Sequence, residues 1–234
     1  MKPTWYYNEM VSRGTDYTDL NKVQEYDEKM KKIRDIEGEC NEIIDSLALS
    51  GEENVLEFGA ATGEFALRAS HHCKAFYAVD VSPAMLAYAR IKADCKDLQN
   101  IRFFNAGFLT YNHTGPPLDA VVSQLTLHHL PDFWKEVALS RVFSVLKPGG
   151  QFFLKDTVYS FNPAEHIQFF SNWIEETCRV DPQIAIEVET HIREEFSTTA
   201  PVMEEILARA GFIIERAEYP DGYLATYVCK KPAE

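Results

Sequence analysis

The stretch Val55-Leu-Glu-Phe-Gly-Ala-Ala-Thr-Gly63 constrains this chain more than any other. An apolar run ends in an acid, a loop bounded by two glycines follows, and Glu64 to Ser70 reads as a helix. A second apolar run, Ala75 to Val79, then ends in Asp80. Strand, glycine loop, helix, strand and an acid about 20 residues on is the build of a βαβ unit that holds an adenosine-containing ligand. Glycine lets the main chain approach the ligand, and the second acid accepts hydrogen bonds from ribose hydroxyls.

The spacing narrows the ligand. A dinucleotide fingerprint needs a middle glycine where a diphosphate meets a helix N-terminus. Ala61 stands at that position. No Gly-Lys-Ser/Thr follows, which excludes a Walker loop. Glu57, just before the loop, repels phosphate and suits an amine. S-adenosylmethionine has a ribose, an amine and no phosphate.

Strands and helices alternate through the rest of the chain. Segments 19–32 and 37–48 read as helices, the second with Cys40, Ile43, Ile44 and Leu47 at helical spacing. Ser82-Pro83 opens a helix as N-cap and first-turn proline. Strands are expected at 55–58, 75–79, 101–104, 118–123 and 151–155, with a helix over 133–146. Lys147-Pro-Gly-Gly150 is expected as the turn between that helix and the fifth strand. Helices over 163–180 and 184–196 sit outside the alternation, and a helix over 201–210 precedes strands at 212–218 and 222–230, linked closely enough for a hairpin. The pattern implies a parallel sheet with right-handed crossovers and ligands at the carboxyl ends of its strands.

Five stretches in order and in register resemble the class I S-adenosylmethionine-dependent methyltransferases: Val55 to Gly63, Ala78-Val-Asp-Val-Ser-Pro-Ala-Met-Leu86, Asp119-Ala-Val-Val-Ser123, Leu127-His-His-Leu-Pro131 and Leu146-Lys-Pro-Gly-Gly150. The likeness covers roughly residues 40 to 230 and is closest to small-molecule-type members. It implies an α/β fold: a Rossmann-like, seven-stranded, mostly parallel sheet with a C-terminal antiparallel hairpin and helices on both faces. It implies one methyltransferase domain over 1–234, with a helical arm or lid at 1–36 and a helical insertion over the acceptor site at 157–200. The cofactor implied is S-adenosyl-L-methionine, and its expected neighbours are Glu57, Gly59, Ala60, Gly63, Asp80, Val81, Met85, Ala106, Gly107, Phe108, Ser123, Gln124 and Leu125.

Each position has a plainer reading as well. Asp80 also suits a turn before the Ser-Pro helix start, and Gly59 and Gly63 also suit simple turns. Many family members carry an acid on the third strand for the adenine amine, whereas this chain has Gly107 there. Backbone at Ala106 and Gly107 is the substitute, with Phe108 either stacking on adenine or lying in the core. His128 and His129 are candidates for a general base, or for packing at a helix entry. The acceptor side is expected from the aromatic arm and from Tyr159, Phe161, His166, Phe169, Phe170 and Trp173, although Phe169, Phe170 and Trp173 also read as core. Tyr17, Tyr26 and Arg34 are candidates for a lid.

Composition sets the outer bounds. A formal net charge of −13 disfavours nucleic acid and anionic membrane surfaces. No apolar run reaches a membrane span, and Met1-Lys-Pro-Thr lacks the apolar core of a signal peptide. Five scattered cysteines read as reduced thiols of a cytoplasmic protein. His71-His72-Cys73 points in different directions and no second cluster completes it, so no metal is expected. The expected activity is methyl transfer to a small molecule by in-line displacement, with a base required if the acceptor is an oxygen. The alternatives are a non-catalytic S-adenosylmethionine-binding or scaffold protein, a nucleic-acid or protein methyltransferase, other chemistry on the same cofactor, and a nicotinamide oxidoreductase. The last lacks both the middle glycine and a Tyr-x-x-x-Lys pair.

Overall fold

The computed structural model describes residues 3–11, 14 and 20–233. The alternating apolar residues of the strands build one sheet with two buried faces. In β1 (Asn54–Phe58), Leu56 and Phe58 face one side and Val55 the other. β2 (Ala75–Asp80) repeats this with Tyr77 and Val79 against Phe76 and Ala78. β4 (Leu118–Gln124) does so with Val121 against Ala120 and Val122. Period-2 alternation forces such a division when both faces are covered.

Helices cover each face. α2 (Ile36–Ser46) and α3 (Glu64–Ala69) bury Cys40, Ile43, Ile44, Phe65 and Ala66 on one side. On the other, α5 (Asp132–Val145) and α8 (Ala200–Arg209) bury Ala138, Leu139, Val142, Met203, Ile206 and Leu207. α4 (Pro83–Cys95) starts as its sequence predicts, with Ser82 Oγ accepting from the Met85 N–H at 3.2 Å and Pro83 in the first turn.

The strand order is β3-β2-β1-β4-β5-β8-β7, with β3 at Ile101–Asn105, β5 at Leu146–Tyr159, β7 at Ile213–Glu218 and β8 at Leu224–Lys230. β1 to β5 are parallel. β8 runs antiparallel to both β5 and β7, so the hairpin's second strand lies inside the sheet. The order reverses between β1 and β4, and that crevice is where open α/β sheets bind ligands.

Two local expectations are corrected. The Pro-Gly-Gly segment is a bulge within β5: Leu146 pairs with Leu118 and Gln151 with Ala120. Pro148 offers no N–H and Gly149 takes φ +78°, so the strand accommodates extra residues without a reversal. A short strand was also missed, β6 (Thr198–Thr199), which pairs with the end of β5. Two residues are too few to leave a period in the sequence.

The helical pair outside the alternation is α6 (His166–Val180) and α7 (Pro182–Glu194), packed on each other. Asp181 caps α7 by accepting from the Gln183 N–H at 2.9 Å. α1 (Leu20–Met30) completes the set. Among the described residues, no helix is long and apolar enough to cross a membrane.

Candidate functional site

A cavity of about 360 Å³ opens at the carboxyl ends of β1, β2, β4 and β5. That is the size range of a small-ligand pocket. It gathers most of the residues singled out above: Glu57, Gly59, Ala60, Asp80, Val81, Met85, Ala106, Gly107, Phe108, Gln124, Leu125, His128 and His129 all line it.

The Asp80 carboxylate organises the glycine loop. Its Oδ2 accepts from the Ala61 N–H at 2.8 Å and its Oδ1 from the Ser82 N–H at 2.7 Å. Burial pushes this carboxyl above its ordinary range, against the pull of those two amides. Each oxygen keeps one lone pair for a further donor. The turn role and a ligand role are therefore compatible in one side chain.

Gly59 takes φ +77°, and a Cβ there would lie 1.9 Å from Thr126 Oγ1. The glycine makes room for the neighbouring strand's loop as well as bending the chain. Gly63 does not line the cavity. It takes φ +81°, and its Cβ would meet the Cβ of Ala89 at 2.9 Å, so it serves close packing of the loop on α4. Ala61 adopts φ +45° and Leu125 φ +50° on the cavity wall. Non-glycine residues there carry strain of order 1 kcal/mol, and such strain clusters at ligand sites.

Glu57, the next-to-last residue of β1, has 3% of its surface exposed. Its Oε2 has no hydrogen-bond partner. Burial pushes the carboxyl up to about 8; a hydrogen bond with Gln124 opposes this, the Asp80 charge adds to it, and Arg34 opposes it. A buried acceptor with no donor is costly. It fits a cationic group arriving in the cavity, as the amino group of S-adenosylmethionine would.

The third-strand position holds a finding that the sequence does not reveal. A Cβ at Gly107 would stand 2.5 Å from the carboxyl group of Glu9, which comes from the arm. Glu9 accepts from the Leu109 N–H at 2.9 Å and from Thr110 Oγ1 at 2.7 Å, and it lines the cavity. An acid therefore sits where this strand lacks one. Phe108 stacks on Phe58 with ring centroids 4.3 Å apart, in the core, at the cavity's edge. Ser123 is fully buried, its Oγ has no partner, and it does not line the cavity. On β4 it sits in register between Phe58 of β1 and Leu154 of β5.

The two histidines have different surroundings. His128 Nδ1 lies 2.5 Å from Asp156 Oδ1, and Nε2 lies 3.2 Å from Glu195 Oε2. Burial disfavours its charged form, but Asp156 and Glu195 outweigh burial and raise it to about 9. His129 is pushed down to about 4 by burial and by the positive charge on His128. Its Nδ1 is buried without a partner. His191 also contacts Glu195, and its Nε2 lies 2.8 Å from Ser197 Oγ. Burial raises the Glu195 carboxyl, but hydrogen bonds from His128 and His191 win and hold it well below the usual range.

α1 contributes Tyr26, Asp27 and Met30 to the cavity wall. Asp27 bonds Thr62 of the glycine loop and lies 2.7 Å from Lys92 on α4. Lys29 pairs with Glu187, and Lys32 lies 2.8 Å from Asp181, both at α7. Tyr26 and Arg34 line the cavity, and Arg34 pairs with Glu39. Tyr17 lies outside the described residues. The arm docks through Tyr6, which meets Trp134 at 4.7 Å, and through the Tyr7 hydroxyl, which donates to the His129 carbonyl at 3.1 Å.

On the acceptor side the aromatic expectation needs correcting. Of Tyr159, Phe161, His166, Phe169, Phe170 and Trp173, only Trp173 lines the cavity. Phe161 and Phe169 stack on each other at 3.9 Å, and His166 is exposed. Nor are Phe169, Phe170 and Trp173 fully buried core. The missed lining residues include Glu9, Ile184, Glu187, Val188, His191 and Glu195. The α7 members recur at helical spacing, a signal that also reads as an ordinary packed face.

Against known proteins, the methyltransferase-domain family profile matches residues 55–150. The chain is 25% identical over 207 residues to an uncharacterized methyltransferase of Anoxybacillus flavithermus, covering 86% of this chain and 92% of that one. It is 29% identical to one of Geobacillus kaustophilus, covering 81% of each. Among solved structures, a S-adenosylmethionine-dependent methyltransferase from Clostridium acetobutylicum superposes with a TM-score of 0.67 at 14% identity, covering 91% of this chain and 98% of that one.

Proposed function

We propose that this chain is a class I S-adenosylmethionine-dependent methyltransferase that transfers the methyl group in line to a small-molecule acceptor. The carrying observation is the pair of buried carboxylates at the ends of adjacent strands, Glu57 and Asp80, on the wall of one cavity. Asp80 takes the ribose hydroxyls. The orphaned Oε2 of Glu57 takes the amino group. Glu9 supplies beside Gly107 the acid that the third strand lacks, at the base end. When bound, S-adenosylmethionine brings a methyl already activated on a sulfonium, so the protein contributes position and dryness. Orientation alone lowers barriers by roughly 7–11 kcal/mol in well-aligned systems.

The acceptor lies between the loop after β4 and α7, beside Trp173, Ile184 and Val188. The modest cavity volume and the formal charge of −13 favour a small molecule over a nucleic acid. Where the acceptor is a hydroxyl, His129 is the base, because its Nδ1 lone pair has no other partner. His128, held between Asp156 and Glu195, orients that wall.

Calorimetric titration with S-adenosylhomocysteine tests the cofactor site. Micromolar binding to the native protein and its loss in Asp80→Ala, with the far-ultraviolet spectrum retained, is the expected result. Unchanged affinity in that variant would sink the assignment.

A further inference from the structure

We propose that His128, His191 and Glu195 form a site for one first-row divalent metal ion on the wall of the cavity. The donor atoms converge. His128 Nε2 lies 3.2 Å from Glu195 Oε2, and His191 Nδ1 approaches the same oxygen. The ligand atoms of the three residues all lie within 4.8 Å of one another. Ligands about 2.1 Å from one ion stand about 3.0–3.4 Å apart in octahedral or tetrahedral arrangements. His128 and Glu195 already have that spacing.

The outer partners are those a metal-bound imidazole needs. A ligating histidine gives its second ring nitrogen to a carboxylate or other acceptor, which fixes the tautomer and aims the first nitrogen. Asp156 does this for His128 Nδ1 at 2.5 Å. Asp156 is itself held, accepting from the His128 N–H at 3.0 Å and the Thr157 N–H at 2.8 Å. Ser197 Oγ does the same for His191 Nε2 at 2.8 Å.

The chain brings the ligands together from two places. His128 follows β4, whereas His191 and Glu195 stand four residues apart at the end of α7, on one helical face. The segment after α7 is pinned to the body of the protein. The Phe196 N–H donates to the His128 carbonyl at 2.9 Å, and the fully buried Lys135 donates to the Phe196 carbonyl and to Asp132.

Two imidazoles and one carboxylate suit manganese, iron, cobalt or zinc in the divalent state, and three protein ligands leave positions open. All three residues line the cavity, so the open positions take water or an oxygen-bearing ligand. Beside them, the unpartnered His129 Nδ1 lies 4.0 Å from Glu195 Oε1, placed to accept from a metal-bound water. The metal site does not depend on the methyl-transfer reading, and it is tested without turnover.

Full-length protein without a histidine tag is freed of metal with a chelator and titrated with manganese, followed by electron paramagnetic resonance. Cobalt absorption in the visible range gives a second signal. The expected result is one ion per chain with micromolar affinity. His191→Ala and Glu195→Gln should each weaken binding at least tenfold, and Asp156→Asn roughly 10–100-fold. Folding is checked by circular dichroism, and Glu195→Gln decides if His191→Ala does not fold. Absence of saturable binding in the native protein, or unchanged binding in the folded variants, overturns the proposal. In either case the three residues form a hydrogen-bonded latch without metal.

Discussion

At the scale of single residues, Glu57 carries the sharpest test. Burial raises its carboxyl to about 8 from an ordinary value of 4.5. In the free protein the neutral form is favoured, so this contribution to stability is present below pH 4.5 and is lost as pH rises through about 8. A ligand ammonium against Oε2 favours the carboxylate and lowers its pKa. Binding inside that window must then expel a proton, and affinity must rise with pH toward 8. Titrating S-adenosylhomocysteine at pH 6.5 in two buffers of different ionisation enthalpy should show release of about one proton. Glu57→Gln should show less. Equal apparent heats in the two buffers would remove Glu57 from the ligand's amine. The same carboxylate was readable in the sequence as an acid ending an apolar run. Its missing partner was not, because Oε2 is orphaned only once Gln124 and Arg34 have taken their places around it.

At the scale of elements, α1 is proposed to roof the ligand through ties clustered near its C-terminal end. Asp27 holds it to the glycine loop and α4, Lys29 holds it to α7, and Lys32, just past its end, reaches the α7 cap Asp181. The Asp27–Lys92 pair is mostly buried, at 12% and 17% side-chain exposure, so it is less screened than the Lys32–Asp181 pair, where Lys32 is 55% exposed. Asp27→Ala should weaken S-adenosylhomocysteine binding about tenfold, about 1.4 kcal/mol, mainly through faster dissociation. Stopped-flow dissociation and amide exchange over residues 20–30 measure it. An unchanged dissociation rate with faster exchange in α1 would mean that the roof does not retain the ligand. The element boundaries themselves were largely legible. Ser82-Pro83, the alternation of β1, β2 and β4, and the apolar face of α2 each encode locally which side is buried. β6 was not legible, nor was the Pro-Gly-Gly bulge, because strand pairing, not local preference, decides both.

For the whole molecule, ligand binding and stability are linked. A ligand at about 100 times its Kd stabilises a protein by about 2.7 kcal/mol, and at this chain length each kcal/mol is worth roughly 2–4 °C. S-adenosylhomocysteine should therefore raise Tm by roughly 5–10 °C, and NADH at the same concentration should not. Scanning calorimetry with both ligands is the check, and equal shifts would dissolve the cofactor preference. The fold, the glycine loop and the place of Asp80 follow from sequence alone. Hydrophobic period, capping residues and glycine spacing act over a few residues, so the linear chain already contains them. The cavity's other walls were decided only in three dimensions. Glu9 reaches Leu109 across 100 residues, and His128 meets Asp156 and Glu195 from separate elements. Such meetings depend on how helices and loops pack on the sheet, and no local pattern of side chains announces which distant partner will arrive.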